Sequence, residues 1–239
     1  MRIPIVFSDD HLLVIDKPAD LLTVPDRFDD EKPFVFGVLR DRYPELLPVH
    51  RLDRQTSGLL AIARTKEAHR ALNDHFSNRR VAKDYLALVD GTPHPAKGTI
   101  DQPIANSPEK PGKMMVTQRD GKPAQTDYEV LESFKDFSWL SVRIHTGRTH
   151  QIRVHLAYLG HPLAVDELYG RRSSFMLSEW KGRRKYHLKA GKTERPLLDR
   201  ASLHAAHLAF PHPITGEPLD FRVDPPKDLR ATLNQLRKL

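Results

Sequence analysis

The stretch His50-Arg51-Leu52-Asp53-Arg54-Gln55-Thr56-Ser57-Gly58 sets one carboxylate, Asp53, between two arginines and runs it into a Thr-Ser-Gly turn, with apolar Leu59-Leu60-Ala61-Ile62 behind it. Nearby opposite charge favours the ionised form of a carboxylate. An ionised carboxylate held in place can act as a nucleophile or as a base. Taken alone, an Arg-x-Asp-Arg run is more often a surface turn whose aspartate pairs weakly with arginine. The neighbouring segments decide between the two.

Downstream, Leu59–Arg64 reads as a compact apolar strand. Thr65 is placed to cap a helix running to about Arg79, with Glu67 in its first turn and Ala68, Ala71, Leu72 and Phe76 at core spacing. Upstream, Ile3–Phe7 and Leu12–Asp16 read as short strands around a polar turn, and Lys17-Pro18 breaks the run. A helix starting at Phe34 stops near Pro44. Tyr85–Val89 is a strand with Tyr85, Ala87 and Val89 on one face. Residues 98–122 alternate short strands with loops. Thr126–Ser133 and Trp139–Ile144 are strands, and Leu203–Phe210 pairs with Leu219–Val223. Leu229, Leu233 and Leu236 line one side of a terminal helix. Locally joined strands with few helices predict an α+β fold with a mixed, largely antiparallel central sheet and flanking helices, rather than a regular βαβ series.

A second stretch, His145-Thr146-Gly147-Arg148-Thr149-His150-Gln151-Ile152-Arg153-Val154-His155-Leu156, repeats histidine every five residues. A spacing of five turns a helical side chain away by about 140° and changes face on a strand. No metal site is therefore expected, and His155 is expected in the core. The helix predicted here has Ile152, His155, Leu156 and Leu159 on its core face and ends at Gly160. Arg153 lies at the edge of that face. From there it can grip a buried carboxylate with two parallel hydrogen bonds, unless it is simply a solvated helix arginine. Tyr85 is either an ordinary core tyrosine or a platform on which a base stacks. Ser57, with His50 close in sequence, offers a hydrolase alternative, although no Gly-x-Ser-x-Gly elbow surrounds it. No Gly-x-Gly-x-x-Gly or Walker loop occurs, so no nucleotide cofactor is expected.

The chain has 239 residues, no cysteine and a formal net charge of +7. That length fits one large domain or two small subdomains. Without cysteine there is no disulfide partner and no thiolate metal site, and a reducing cytoplasm is the expected location. No run of about 18 apolar residues is present, so no membrane span is expected. The N-terminus turns acidic too early for a secretory signal. The basic balance favours a polyanion as partner. Residues 171–200 concentrate Lys and Arg without a clear period and read as an irregular basic insert.

Together these segments resemble the RluA-type pseudouridine synthases, in the branch without an appended RNA-binding domain. Besides residues 50–58 and 146–156, the resemblance rests on several further motifs. They are Asp10-His11 with Leu13-Val14-Ile15-Asp16-Lys17-Pro18; Leu21-Leu22-Thr23-Val24-Pro25; Lys83-x-Tyr85-x-Ala87-x-Val89-x-Gly91; Gly121-Lys122-x-Ala124-x-Thr126-x-Tyr128; Leu203-His204-Ala205; and Phe210-x-His212-Pro213-x-Thr215-Gly216-Glu217. It covers nearly the whole chain apart from residues 171–200. It implies one catalytic domain over residues 1–239, a monomer whose two subdomains share one catalytic cleft. It also implies isomerisation of uridine to pseudouridine in ribosomal or transfer RNA, with no cofactor. Asp53 would be the nucleophile. Arg153 would pair with Asp53. Tyr85 would stack on the uracil and help remove the C5 proton. Arg51 would fill the gap left by the flipped base, Ile144 would pack beneath the uracil, and Leu52 and Arg148 would complete the substrate site. Two departures stand out. Asp20 occupies a position where the family usually carries glycine. Val165-Asp166 replaces Gly-Asp, at a place expected to touch none of the catalytic positions. A catalytically silent RNA-binding protein and a hydrolase using Asp53 or Ser57 are the alternatives.

Overall fold

The computed structural model describes residues 2–26, 29, 31–181 and 193–239. Along the chain the elements are β1 (Ile5–Ser8), β2 (Leu12–Lys17), α1 (Val35–Leu39), β3 (Leu47–Pro48), β4 (Ser57–Ala63), α2 (Lys66–Ser77), β5 (Ala82–Asp90), β6 (Lys97–Asp101), β7 (Ile104–Asn106), β8 (Met114–Val116), β9 (Gln125–Ser133), β10 (Phe137–Ile144), α3 (Gln151–Tyr158), α4 (Leu177–Lys181), β11 (Leu203–Pro211), β12 (Pro218–Arg222) and α5 (Lys227–Leu236). They form two compact units. The first comprises Met1–Tyr85 and His204–Asp224, the second Leu86–Leu203 and Pro225–Leu239.

In the first unit the strand order is β1-β2-β4-β11, with β3 beside β4 and β12 beside β11. β2 and β4 run antiparallel from Leu12 opposite Ala63 to Lys17 opposite Gly58. Leu12 to Ile15 and Leu59 to Ala63 are buried on both faces, so these strands appear in the sequence as unbroken apolar runs rather than alternations. β4 pairs with β11 in parallel, with Ser57 beside His204 and Gly58 beside Ala205. Gly58 has φ +114°, and a Cβ there would lie 2.2 Å from the Ala205 carbonyl oxygen. No side chain fits at that approach.

α2 begins as its sequence predicts, with the Thr65 side chain accepting from the Ala68 N–H. It ends at Ser77, earlier than expected, and Arg79 takes a left-handed φ of 58° just beyond it. Its buried face holds Ala68, Leu72 and His75; His75 was not expected there. The core of this unit joins Leu12, Val14, Leu59, Ala61, Leu72, Leu208 and Phe210.

In the second unit the order is β5-β10-β9-β6, and β7 and β8 form a separate pair. The β9–β10 hairpin runs from Ser133 opposite Ser138 to Thr126 opposite Ile144. On β9, Thr126 and Tyr128 face inward as the alternation predicts. The core gathers Leu88, Phe137, Trp139, Phe175, Leu198, Leu229, Leu233 and Leu236. The described ends of the 171–200 stretch are anchored in this core. Phe175 bridges to Leu198, and the buried Arg200 grips Asp228 at 2.6 and 2.9 Å. Residues 182–192, the most basic part of that stretch, lie outside the described residues. Among the described residues no helix is long and apolar enough to cross a membrane.

Candidate active site

Asp53 lies in the irregular segment between β3 and β4. Its place is set by its neighbours' main chain. Leu52 is buried, its N–H donates to the Thr23 hydroxyl at 3.1 Å, and its carbonyl accepts from the same hydroxyl at 2.8 Å. On the other side the Arg54 carbonyl accepts from Lys17 Nζ at 3.2 Å. Lys17 is fully buried, and its ammonium also donates to the carbonyls of Pro18 at 2.9 Å and Leu21 at 2.8 Å. An ammonium has three donors, and burying it is tolerable when its donors are matched. The Asp53 carbonyl accepts from Thr56 N at 3.1 Å, which turns the chain into β4. Asp53 itself is half-buried, while Arg51 and Arg54 are exposed. Arg54 pairs with Asp20 at 3.7 Å. Asp20 has φ 58°, a conformation glycine adopts freely and aspartate tolerates. Asp20 thus holds a left-handed turn that glycine would also hold.

Lys17 and Thr23 had no site role in the sequence reading. Their signal was faint: a lysine ending an apolar strand, and a threonine in a short apolar run, each far in sequence from the loop it holds.

Tyr85, on β5, is buried. Burial pushes its phenol well above the ordinary range, and the negative charge of Asp53 pushes it further in the same direction. Proton removal by a phenolate would need a cation beside the hydroxyl, and the charge acting on it is a carboxylate. Tyr85 thus stands as a neutral phenol with an aromatic face in the free protein.

The hydrolase alternative also weakens. His50 stacks on Phe76 with centroids 4.7 Å apart, and its Nε2 accepts from Ala61 N at 2.9 Å. Burial first, and Lys83 second, push its pKa down to about 3. His50 is therefore neutral with its acceptor nitrogen committed to β4. Ser57 pairs with His204 instead, Oγ to Nδ1 at 3.0 Å, and both residues are buried. A sealed Ser–His pair offers no surface to a substrate.

The remaining expected residues belong to the second unit. Ile144 ends β10 and is buried. Arg148 is exposed; its Nε donates to the Pro123 carbonyl at 3.1 Å and its N–H to Gln151 Oε1 at 3.0 Å. The helix α3 that carries Arg153 is buried from Gln151 through Leu156, more deeply than its one-sided pattern predicts. A chain of polar bonds makes that burial possible. Gln151 Nε2 donates to Gln125 O at 2.9 Å and to Thr126 Oγ1 at 3.0 Å, and its Oε1 accepts from the Thr146 hydroxyl at 2.8 Å. His155 has Thr126 Oγ1 2.9 Å from Nδ1 and the Gln102 carbonyl 2.9 Å from Nε2. A carbonyl only accepts, so Nε2 carries the proton and the threonine donates to Nδ1. Burial lowers the pKa of His155, which keeps it neutral. As expected, it is a core residue.

The three histidines go separate ways. His145 meets Asp127 at 2.6 Å, and His150, at φ 54°, meets the Tyr169 hydroxyl at 2.8 Å.

Arg153 is buried, and its Nε and Nη2 grip Asp166 Oδ2 and Oδ1 at 2.6 and 2.8 Å. Asp166 Oδ1 also accepts from the N–H groups of Leu168 at 2.9 Å and Tyr169 at 3.1 Å. Burial alone would raise the Asp166 pKa, but Arg153 and the two N–H groups hold it below the usual carboxylate value. The expectation that the Val165-Asp166 segment touches no catalytic position is therefore corrected: its aspartate is a direct partner of Arg153. The valine takes an ordinary backbone conformation and is buried in the core.

The arrangement is a carboxylate on a pinned loop beside a neutral buried tyrosine, on a mixed sheet with few helices, and it matches an established family. Residues 11–158 match the model of the RNA pseudouridylate synthase family. The chain is 38% identical over 220 residues to the dual-specificity RNA pseudouridine synthase RluA of Escherichia coli K12, covering 91% of each. It is 36% identical over 243 residues to the ribosomal large subunit pseudouridine synthase D of Zymomonas mobilis, covering 97% of this chain and 72% of that one. The solved structure of human RNA pseudouridylate synthase domain containing 4 matches with a TM-score of 0.72 at 27% identity, covering 98% of this chain and 93% of that one. The chain belongs to the RNA pseudouridylate synthase family. It is an isomerase that converts uridine in RNA to pseudouridine.

Proposed function

We propose that this enzyme isomerises uridines in stem-loops of ribosomal RNA, transfer RNA or both, with Asp53 as the nucleophile. The reaction breaks the N1–C1′ bond, forms a C5–C1′ bond and moves the C5 proton to N1. Reactant and product have the same atoms, so no redox partner is required. Reaching the glycosidic bond means taking the base out of its stack, at a cost of a few kcal/mol. Arg51 is exposed and free of regular structure, which suits a side chain that fills the vacated space. Tyr85 would stack on the uracil, with Ile144 and Leu52 as apolar contacts and Arg148 as a phosphate contact. Arg153 would keep Asp53 ionised by opposite charge. A basic monomer in the cytoplasm, with no membrane or disulfide partner, would meet such RNA through its phosphates.

The observation that carries this proposal is the loop of Asp53. Thr23 and Lys17 fix the residues on either side of it, and its charge is felt at the Tyr85 phenol. A protein that only binds RNA gains nothing from holding a carboxylate beside a polyanion. Asp53→Asn tests the assignment. Release of tritium from RNA labelled at uridine C5 should stop, while RNA affinity in a filter-binding assay stays within about threefold. Turnover at the parent rate would remove Asp53 from the mechanism. Mapping pseudouridines in cells with and without the gene would identify the target.

A further inference from the structure

We propose that Arg54 binds a backbone phosphate of the RNA beside the target uridine, and that Asp20 is its internal competitor, taking the guanidinium back as the product leaves. This rests on the placement of the uridine at Asp53 proposed above. Arg54 follows Asp53 directly and is exposed. A nucleotide brought to Asp53 carries a phosphate on each side of its sugar, so an exposed cation at the next residue is placed to meet one of them.

The meeting of Arg54 and Asp20 is built into the first unit. The buried ammonium of Lys17 holds the carbonyls of Pro18 and Leu21, on either side of Asp20, at 2.9 and 2.8 Å, and the Arg54 carbonyl at 3.2 Å. The Thr23 hydroxyl ties the same two segments a second time, through the N–H and carbonyl of Leu52 at 3.1 and 2.8 Å. Both side chains therefore start from fixed main chain. Asp20 also takes φ 58°, a conformation that strains a residue other than glycine. Glycine would make this turn more easily; what the aspartate adds is a carboxylate beside Arg54.

The contact is suited to being broken. Arg54 Nε lies 3.7 Å from Asp20 Oδ1, within charge attraction and beyond a hydrogen bond. The Arg80–Asp74 pair of the same unit, exposed to a similar degree, closes to 2.7 Å. The side chains of Arg54 and Asp20 are 56% and 51% exposed. Solvent screening limits such a pair to about fivefold in an equilibrium constant. A phosphate accepts two parallel charge-assisted hydrogen bonds from a guanidinium and so displaces the carboxylate.

An isomerase of RNA has a use for such a competitor. Substrate and product carry the same phosphates, so a phosphate contact holds both alike and slows release as much as it aids binding. A carboxylate that competes for one contact weakens both complexes and shortens the life of the second.

Asp20→Asn tests this, because asparagine tolerates the left-handed turn and removes only the charge. The probe is a transcribed stem-loop with a looped uridine that the parent enzyme converts. Its Kd should fall about three- to fivefold, and KM with it. Dissociation of the same stem-loop carrying pseudouridine should slow by a similar factor. Arg54→Ala should weaken binding and reduce the slope of log K against log salt by about one. In Arg54→Ala/Asp20→Asn the gain should vanish, with Kd within about 1.5-fold of Arg54→Ala. Melting curves establish that each variant is folded at the assay temperature.

A residue needed only for the shape of its turn would weaken binding when changed, not tighten it. Unchanged or weaker affinity in Asp20→Asn would overturn the proposal, as would an equal gain with and without Arg54, or unchanged affinity in Arg54→Ala. Should Arg54→Ala fail to fold, the sign of the Asp20→Asn change decides alone. Turnover at the parent rate in Asp53→Asn would instead refute the placement of the uridine, a different result read in a different assay.

Discussion

The loop of Asp53 and the helix of Arg153 hold a charged group still in opposite ways. Around Asp53, the bonds from Thr23 and Lys17 go to the main chain of Leu52 and Arg54. Around Arg153, the bonds go to the head group itself, through Asp166. The difference fits the parts proposed for the two groups. A nucleophile depends on where its main chain is placed, and a cation acting by its field can be held at its head group. The two supports also differ in chemistry. A lysine on neutral carbonyls holds the first, and a buried arginine–carboxylate pair holds the second.

The sharpest way to break this contrast is at the charged groups themselves. Asp53→Asn should lower turnover on the order of 1000-fold or more with folding intact, since Thr23 and Lys17 hold the main chain on either side of it. Arg153→Ala should cost on the order of 100-fold in kcat. It should also lose about 3–5 kcal/mol of stability, because Asp166 is left buried and uncompensated. Arg148→Ala loses one bond from an exposed side chain and should cost less than about tenfold. Urea titrations and single-turnover rates separate the two kinds of loss; equal rate losses at Arg153 and Arg148 would erase the distinction.

Lys17→Met sharpens the other side. It keeps an unbranched side chain, one atom shorter, and strands three carbonyls, and should cost about 2–3 kcal/mol in urea denaturation together with reduced kcat. Unchanged kcat would mean that the loop holds Asp53 without Lys17.

Acid should reach the first region through His50. Its folded pKa, about 3, lies below the ordinary 6.5. Between those values the unfolded chain binds the extra proton, so stability rises with pH across the window and is complete above about 6.5. At pH 5 the penalty should be about 1–2 kcal/mol. His50→Phe should flatten the dependence of the urea midpoint on pH. A His50 ring that titrates above pH 6 by NMR would contradict it.

The smallest effect belongs to residues 181–192, which hold six Lys or Arg and no acidic residue. Deleting part of that segment should flatten the salt dependence of RNA binding by about one to three in slope while leaving the rate at saturating RNA alone. An unchanged slope would make the segment a bystander.

Much of this was legible in the sequence because it is local. The Thr65 cap, the alternation of β9 and the β11–β12 hairpin each follow from a few adjacent residues. The Asp53 and Arg153 motifs were equally plain as strings. Their supports were not, because those are made at a distance. Thr23 reaches across 29 residues to Leu52 and Lys17 across 37 to Arg54. The periodicity of α3 shows one apolar face. Its complete burial depends on Gln151 and Thr126, 25 residues apart, satisfying each other. Asp166 sat in plain view as part of a motif, and only the fold shows that it grips Arg153.

The ammonium of Lys17 has a consequence beyond catalysis. With its three protons on carbonyls and no surface in contact with solvent, this amine is shielded from acylating reagents for as long as the segment around residues 52–54 stays shut. The rate at which it becomes labelled would then time the spontaneous opening of the backbone next to Asp53, with no RNA in the tube.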